Sequence, residues 1–272
     1  MAHDSKNYVL DHQEESVSSH RRRTAANSLG YLLSSIKPDM QILDVGCGPG
    51  SLTVDLAALV PKGKATGIEI SDDIIKQANA LAQERKLDNV VFEKGDIKSL
   101  KYSDNTFDVV HGHQVLQHLA DPVSALREMR RVTKPGGMVA LREGEISGQI
   151  FFPAIAGIAE TSDLTFKVMQ SQGANPGGGR QLLSYALKAG FDMSAVAVSS
   201  STYCFATPED RNWWADMWAY RLLRSSLGTS ALEKGFASQS ELEEYAEGWR
   251  KWASEDEGMW SNINVEIICQ VA

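Results

Sequence analysis

From about residue 41 to residue 142, short apolar runs of strand length alternate with stretches whose apolar residues recur every three or four positions. Gln41 to Val45 reads as a buried strand, followed by Lys64 to Ile70, Val90 to Glu93, Phe107 to His111 and Met138 to Arg142. Leu52 to Leu59, Asp73 to Lys86 and Pro122 to Val132 read as helices between them, with stripes such as Ile74, Ala78 and Leu81, or Ala125, Met129 and Val132. Strands separated by helices pair in parallel through right-handed crossovers, so an α/β fold is expected. Upstream, Leu29, Leu32, Leu33 and Ile36 have helical spacing and Pro38 ends the run, which suggests a helical cover over residues 1–40. Lys134-Pro135-Gly136-Gly137 is read as a turn.

Past residue 145 the rhythm loosens. Gly173 to Gly179, with four glycines and one proline, is the expected flexible segment; a helix over Gln181 to Ala189 and strands over Ala195 to Phe205 and Val265 to Val271 follow. All six tryptophans lie between Trp213 and Trp260, whereas all six histidines lie at or before His118. The Trp-rich block, residues 208–262, is expected to be a helical cap set into an α/β domain made of 41–207 and 263–272. Trp214 and Trp218, four residues apart, share one helical face, and Trp249 and Trp252 can share another. Such rings either pack the cap or wall a substrate cleft.

Composition narrows the class. Among 272 residues, 43% are hydrophobic and the net charge is -8, which provides a sizeable core and disfavours nucleic acid, whose phosphates need Lys or Arg. The basic run Arg21-Arg22-Arg23 adjoins Glu14 and Glu15 and reads first as a solvated helix face, then as an anion contact. Cys47, Cys204 and Cys269 form no disulfide or metal-ligand pattern, so a reducing compartment fits. Met1 to Glu15 is polar with no apolar signal core, and no apolar run is long enough to span a bilayer. A cytoplasmic protein is expected, with a small molecule as partner.

Asp44-Val45-Gly46-Cys47-Gly48-Pro49-Gly50 joins the first strand to a helix. Glycines there let the backbone approach a ligand, and a helix N-terminus offers free N–H groups. The spacing is G-x-G-x-G; Ser51 stands where a dinucleotide fingerprint needs its third glycine, and Asp44 would repel a pyrophosphate. NAD(P)-dependent oxidoreduction is therefore disfavoured. Glu69, ending the second strand, has the chemistry to accept from ribose hydroxyls, and Asp96 and Ile97 after the third strand suit an adenine amino group and ring.

These residues, with Phe107-Asp108-Val109-Val110, His118 and Lys134-Pro135-Gly136-Gly137, resemble the class I S-adenosylmethionine-dependent methyltransferases, in particular the small-molecule group typified by the ubiquinone/menaquinone C-methyltransferases. The resemblance covers roughly residues 8–145. It implies a Rossmann-like sheet of seven strands with the last antiparallel, completed by the strands near 195–205 and 265–271. It also implies that the methionine part of S-adenosylmethionine lies at Asp44, Gly46, Cys47, Gly48 and Gly50, with His113 and Gln114 nearby. The ribose would lie at Glu69 and Ile70, the adenine at Asp96 and Ile97, and Tyr8 with the stretch His12 to His20 would cover the cofactor. S-adenosylhomocysteine would be the product. A protein that keeps this fold and cofactor without transferring the methyl would carry the same binding motifs.

Methyl transfer from a sulfonium is an in-line displacement that needs alignment first, and a base only where the acceptor holds its proton tightly. His113 and His118, after the fourth strand, are candidate bases, because imidazole titrates near neutrality. Glu143 and Glu145, after the fifth, would face the same crevice. His111 alternates toward the core, and no metal site is expected from His111, His113 and His118. Arg180 is expected at the surface. The acceptor and its reacting atom are not legible in these residues.

Overall fold

A computed structural model describes residues 22–272. The first elements are a short helix, α1 (Ala25–Ser28), and a single 3-10 turn (Leu33–Ser35). The expected helix through Leu29 to Ile36 is thus broken, but Leu29 and Leu32 are still fully buried against the sheet. Then come β1 (Gln41–Val45), α2 (Ser51–Leu59), β2 (Lys64–Glu69), α3 (Asp72–Glu84), β3 (Val90–Lys94), β4 (Phe107–His113) and α4 (Pro122–Val132). Local chemistry sets the ends of these helices. Ser71 accepts from the Ile74 N–H at the start of α3, and Asp121 accepts from the Ser124 N–H at the start of α4, where Pro122 takes the first position.

The second half comprises β5 (Thr133–Phe152), α5 (Ile158–Ser171), α6 (Gly178–Lys188), β6 (Val196–Phe205), α7 (Pro208–Arg224), α8 (Ser226–Glu233), α9 (Gln239–Ser254) and β7 (Met259–Gln270). The seven strands form one sheet in the order β3-β2-β1-β4-β5-β7-β6. The strands from β3 to β5 are parallel, and β7 runs antiparallel between β5 and β6. This is the Rossmann-like methyltransferase sheet that the motifs imply. Alternation divides β1 between two cores: Leu43 and Val45 face α4 and α6, whereas Ile42 faces α2 and the N-terminal segment.

Two features depart from the sequence reading. β5 does not stop at Arg142. It runs on to Phe152, paired with β7 throughout except for a bulge between Gly144 and Gln149. Charges that resembled a strand end are instead buried with partners: Arg142 Nε lies 3.2 Å from Glu266 Oε1, and its guanidinium covers the Tyr203 ring. The glycine-rich stretch also has a packing role. The Asn175 N–H donates to the Gln117 carbonyl, and Gly178 and Gly179, at the start of α6, press against Gln117 and the Glu143–Gly144 backbone, where a side chain would crowd them.

The long β5–β7 ladder lifts α7, α8 and α9, together with α5, beside the carboxyl ends of the parallel strands. These helices share a core of their own around Trp218, Trp249 and Trp252. Trp249 stacks on Trp218 and donates its indole N–H to Thr161 of α5, and Trp252 donates to the Phe152 carbonyl at the tip of β5. Trp260 belongs to β7, so the helical cap ends before residue 259. Among the described residues, no helix is long and apolar enough to cross a membrane.

The cap core should therefore be costly to empty. Trp249→Ala is expected to lower unfolding free energy by about 3–5 kcal/mol, the usual scale for truncating a buried large aromatic. Trp213→Ala, at a half-buried position, should cost markedly less. Urea denaturation of both variants checks this, and equal losses would contradict the packing described.

Candidate active site

The loop after β1 turns through three left-handed glycines, Gly46 (φ 62°), Gly48 (φ 54°) and Gly50 (φ 85°), a conformation that any other residue adopts only under strain. The Cys47 N–H donates to the Ile68 carbonyl at 3.0 Å, which ties the loop to β2. At Gly46 a Cβ would lie 2.6 Å from Val115, so the loop also touches the turn after β4. Asp44 was expected to face the ligand. Its carboxylate is buried and accepts from Thr53 Oγ1 at 2.6 Å and from His111 Nδ1 at 2.7 Å. It thus joins β1 to α2 and β4, and His111 is an internal partner with no exposure.

Glu69 stands half-buried at the end of β2 and accepts from the N–H groups of Gly48 (3.3 Å), Ile70 (2.7 Å) and Ser71 (3.3 Å). Asp96 is partly exposed after β3 and accepts from the Lys98 N–H. Ile97, expected to pack on the adenine ring, is buried in the main core with Ile68. Tyr8, the stretch His12 to His20, and Arg21 fall outside the described residues.

The turn after β4 places the remaining candidates. Gln114 adopts a left-handed φ of 52°, and its N–H donates to the Arg142 carbonyl. The next three N–H groups, of Val115, Leu116 and Gln117, all donate to the Glu143 carboxylate, at 2.9, 2.8 and 3.4 Å. Glu143 was expected at an open strand end. It lies inside β5, fully buried, with its oxygens taken up by this turn. Burial pushes its pKa up to about 7, against the opposing pull of the three N–H donors and of Arg23. Glu145 is likewise inside β5 and pairs with Arg180 at 2.8 Å, so Arg180 is held by a carboxylate. His113 is buried with Nε2 3.4 Å from the Tyr203 hydroxyl. Burial and the Arg23 and Arg221 guanidiniums push the His118 pKa down to about 4.

Beyond this turn opens a cavity of about 460 Å³. Gln114, Gln117 and His118 form its floor. Tyr203 and Phe205 of β6, Trp260 and Asn262 of β7, and Trp213, Trp214 and Arg221 of α7 line the rest, with Trp214 packed against Phe205 and Trp260. The cap thus reaches the crevice beside His113 to His118. Arg22 and Arg23 line the cavity as well, and are not the solvated face expected of the basic run. Arg22 pairs with Glu209 (3.2 Å) and Asp210 (3.1 Å) and lies over the Trp213 ring, while Arg23 donates to the Gln114 carboxamide. Tyr203, Phe205, Arg221 and Asn262 were not singled out in the sequence. The sequence reads Ala195 to Phe205 only as a strand, and the density of aromatic residues nearby gives the one hint.

Comparison with known proteins agrees with this geometry. Residues 36–175 match the family model described as a methyltransferase domain. An uncharacterized methyltransferase of Schizosaccharomyces pombe is 36% identical, the match covering 92% of this chain and 91% of that protein. A probable methyltransferase of Aspergillus luteorubrus is 29% identical, covering 97% of each. In fold, the chain is similar to a phosphoethanolamine N-methyltransferase of Haemonchus contortus solved with S-adenosyl-L-methionine, with a TM-score of 0.54 at 19% identity; the match covers 87% of this chain and 50% of that one.

The raised Glu143 pKa makes stability depend on pH. Between pH 4.5 and about 7 the folded chain keeps a proton that the unfolded chain has released. The group's contribution is therefore complete below that window and is lost as pH rises through it, by up to about 3 kcal/mol. Glu143→Gln should abolish that part of the slope. Denaturation at pH 5, 6, 7 and 8 measures it, and parallel profiles for variant and wild type would contradict the assignment.

Proposed function

Because this chain belongs to the class I S-adenosylmethionine-dependent methyltransferase family, we propose that its acceptor meets the methyl group in the cavity beneath the tryptophan cap. The protein is an enzyme that transfers a methyl group from S-adenosylmethionine to a small molecule. One observation supports this placement. The turn from Gln114 to His118 touches the glycine loop through Val115 on one side and floors the cavity on the other. A donor seated on the loop and an acceptor in the cavity would face each other across it.

The loop and its neighbours fit the cofactor in kind. Glu69 is an acceptor-only group with about four lone-pair directions; the three backbone N–H groups of Gly48, Ile70 and Ser71 take up three, which leaves one for a ribose hydroxyl. Asp96 is partly exposed and would accept from an adenine amino group, and the glycine-loop backbone with Gln114 would hold the methionine part. Asp44 acts as a positioning residue: it clamps Thr53 and His111 and so fixes the loop from beneath. Bound S-adenosylmethionine supplies an electrophilic methyl carbon and leaves as S-adenosylhomocysteine.

The chain's own work is mainly alignment and exclusion of water. Glu143 holds the turn and does not take a proton from the acceptor. His118 lines the acceptor space, whereas His113 is buried beside Tyr203, and a neutral His118 accepts a hydrogen bond more readily than it removes a strongly held proton. The sparse free cysteines and the acidic charge balance support a cytoplasmic setting.

Calorimetry should show binding of S-adenosylmethionine and S-adenosylhomocysteine and none of NAD; the reverse would overturn the reading. Glu69→Ala should weaken cofactor binding by about 1–3 kcal/mol, the scale of lost charge-assisted hydrogen bonds. An unchanged dissociation constant would show that Glu69 does not hold the ribose.

A further inference from the structure

Among the described residues, the exposed part of the cavity lining is confined to Asn27, Thr207 and Glu209. The mouth therefore lies between α1 and the start of α7. Arg22 crosses it: the guanidinium pairs with Glu209 and Asp210 and lies 4.3 Å from the Trp213 ring centre. Residues 22–28 thus form a strap that reaches the cap. Arg23 and Thr24 of the same strap also border the groove beside Pro49 and Ser51, where the glycine loop enters α2. One short segment therefore borders the donor side and the acceptor side together.

The two ends of the strap are held differently. Toward the core, Thr24 caps α1, the Ala25 N–H donates to Asp55 of α2 at 2.7 Å, and Ser28 Oγ lies 2.7 Å from the Tyr203 hydroxyl. Leu29 and Leu32 follow with no exposure, so this end is fixed by packing. Arg22 is fastened to the cap through side chains that water reaches: 38% of its own side chain and 86% of that of Glu209 are exposed. Ion pairs this open to solvent are weak, and salt screens them. Breaking them strands no group. Asp210 keeps its other oxygen on the Thr207 hydroxyl, and both carboxylates remain in the first turn of α7, where the helix dipole favours them.

We propose that residues 22–28 are a gate over the donor and acceptor sites and that Arg22 is its latch, fastened to Glu209, Asp210 and Trp213 when the gate is shut. The inference rests on the glycine loop and the cavity being those sites. With the latch fastened, the strap, the cap and the turn from Gln114 to His118 enclose the reacting atoms and keep water from them. With the latch released, the strap swings from its fixed end at α1 and the mouth at Asn27, Thr207 and Glu209 widens. A fully buried ion pair in place of these exposed ones would hold the product in; weak pairs let the gate open in every turnover. Because the strap borders both ligands, one opening serves S-adenosylhomocysteine and the methylated product alike.

The test uses the full-length protein and S-adenosylhomocysteine, which has no net charge at neutral pH, with surface plasmon resonance to read the rates. Arg22→Gln should raise the association and dissociation rate constants together, each by about threefold or more, and leave Kd within about twofold. Raising NaCl from about 0.05 M to about 0.5 M should do the same to the wild type and add nothing in Arg22→Gln. Arg22→Lys, which keeps the charge, should retain slow exchange. The double variant Glu209→Gln, Asp210→Asn releases the latch from the cap side, and serves if Arg22→Gln does not fold. Acrylamide quenching reads the gate with no ligand bound. In a Trp213→Phe background, which removes the ring that Arg22 itself covers, Trp214 in the cavity lining should be quenched more readily at high salt, and at all salts once Arg22→Gln is added. Rates and quenching that ignore both Arg22 and salt overturn the proposal, as does a weaker Kd at an unchanged association rate, which marks a direct contact. A protein that binds no S-adenosylhomocysteine contradicts the methyltransferase reading instead, and the quenching then decides the gate alone.

Discussion

The Glu143 carboxylate holds the turn after β4, and most of the site depends on that turn. A carboxylate placed inside β5 with no exposure pays a large desolvation cost unless donors surround it, and three consecutive N–H groups do so. In return those groups, which no regular ladder satisfies, are fixed in one arrangement. Gln114 takes its left-handed conformation, Val115 closes against Gly46, and Gln117 and His118 line the cavity. α6 reinforces the same spot, with Gly178 set against Gln117 and Gly179 against the Glu143–Gly144 carbonyls.

A second buried carboxylate does equivalent work under the glycine loop. Asp44 links Thr53 at the start of α2 to His111 in β4, so the loop is braced from below as well as from Val115 above. The walls of the acceptor space come from a different source. β5 and β7 extend their ladder past the parallel strands, and the chain leaves and re-enters the sheet through Phe205 and Trp260 with the cap between. The cap has its own tryptophan core, against which Trp214 packs through Trp218, and Trp213 and Trp214 also line the cavity. Packing and lining are thus both served by the tryptophans, and Trp214 and Trp260 belong to both.

Much of the α/β frame was legible because it rests on local periodicity: Gln41 to Val45 and Pro122 to Val132 have the structure their patterns imply. The positions of the glycine loop and of Glu69 and Asp96 were legible for the same reason, since strand ends fix them. What periodicity could not reveal were charges whose partners are distant in the chain. Arg142 and Glu143 look like a strand's polar end until Glu266 and the turn at Val115 are brought beside them, more than a hundred and more than twenty residues away respectively. The same holds for Arg22, which is paired by Glu209 and Asp210 of the cap, and for Ile97, whose burial depends on the fold around Ile68. The break after α1 reflects tertiary packing overriding an amphipathic pattern: Leu29 and Leu32 are buried without a continuous helix.

The account stands on the turn from Gln114 to His118 being a wall shared by donor and acceptor. A crystal structure of the protein with S-adenosylhomocysteine bound would test this most directly, through the position of the sulfur. The account predicts a sulfur beside Val115 and Gln114, with its open side toward Gln117, His118 and the aromatic walls of the cavity. A sulfur turned away from that turn, toward Asp96 and Tyr102, with no path into the cavity, would contradict it.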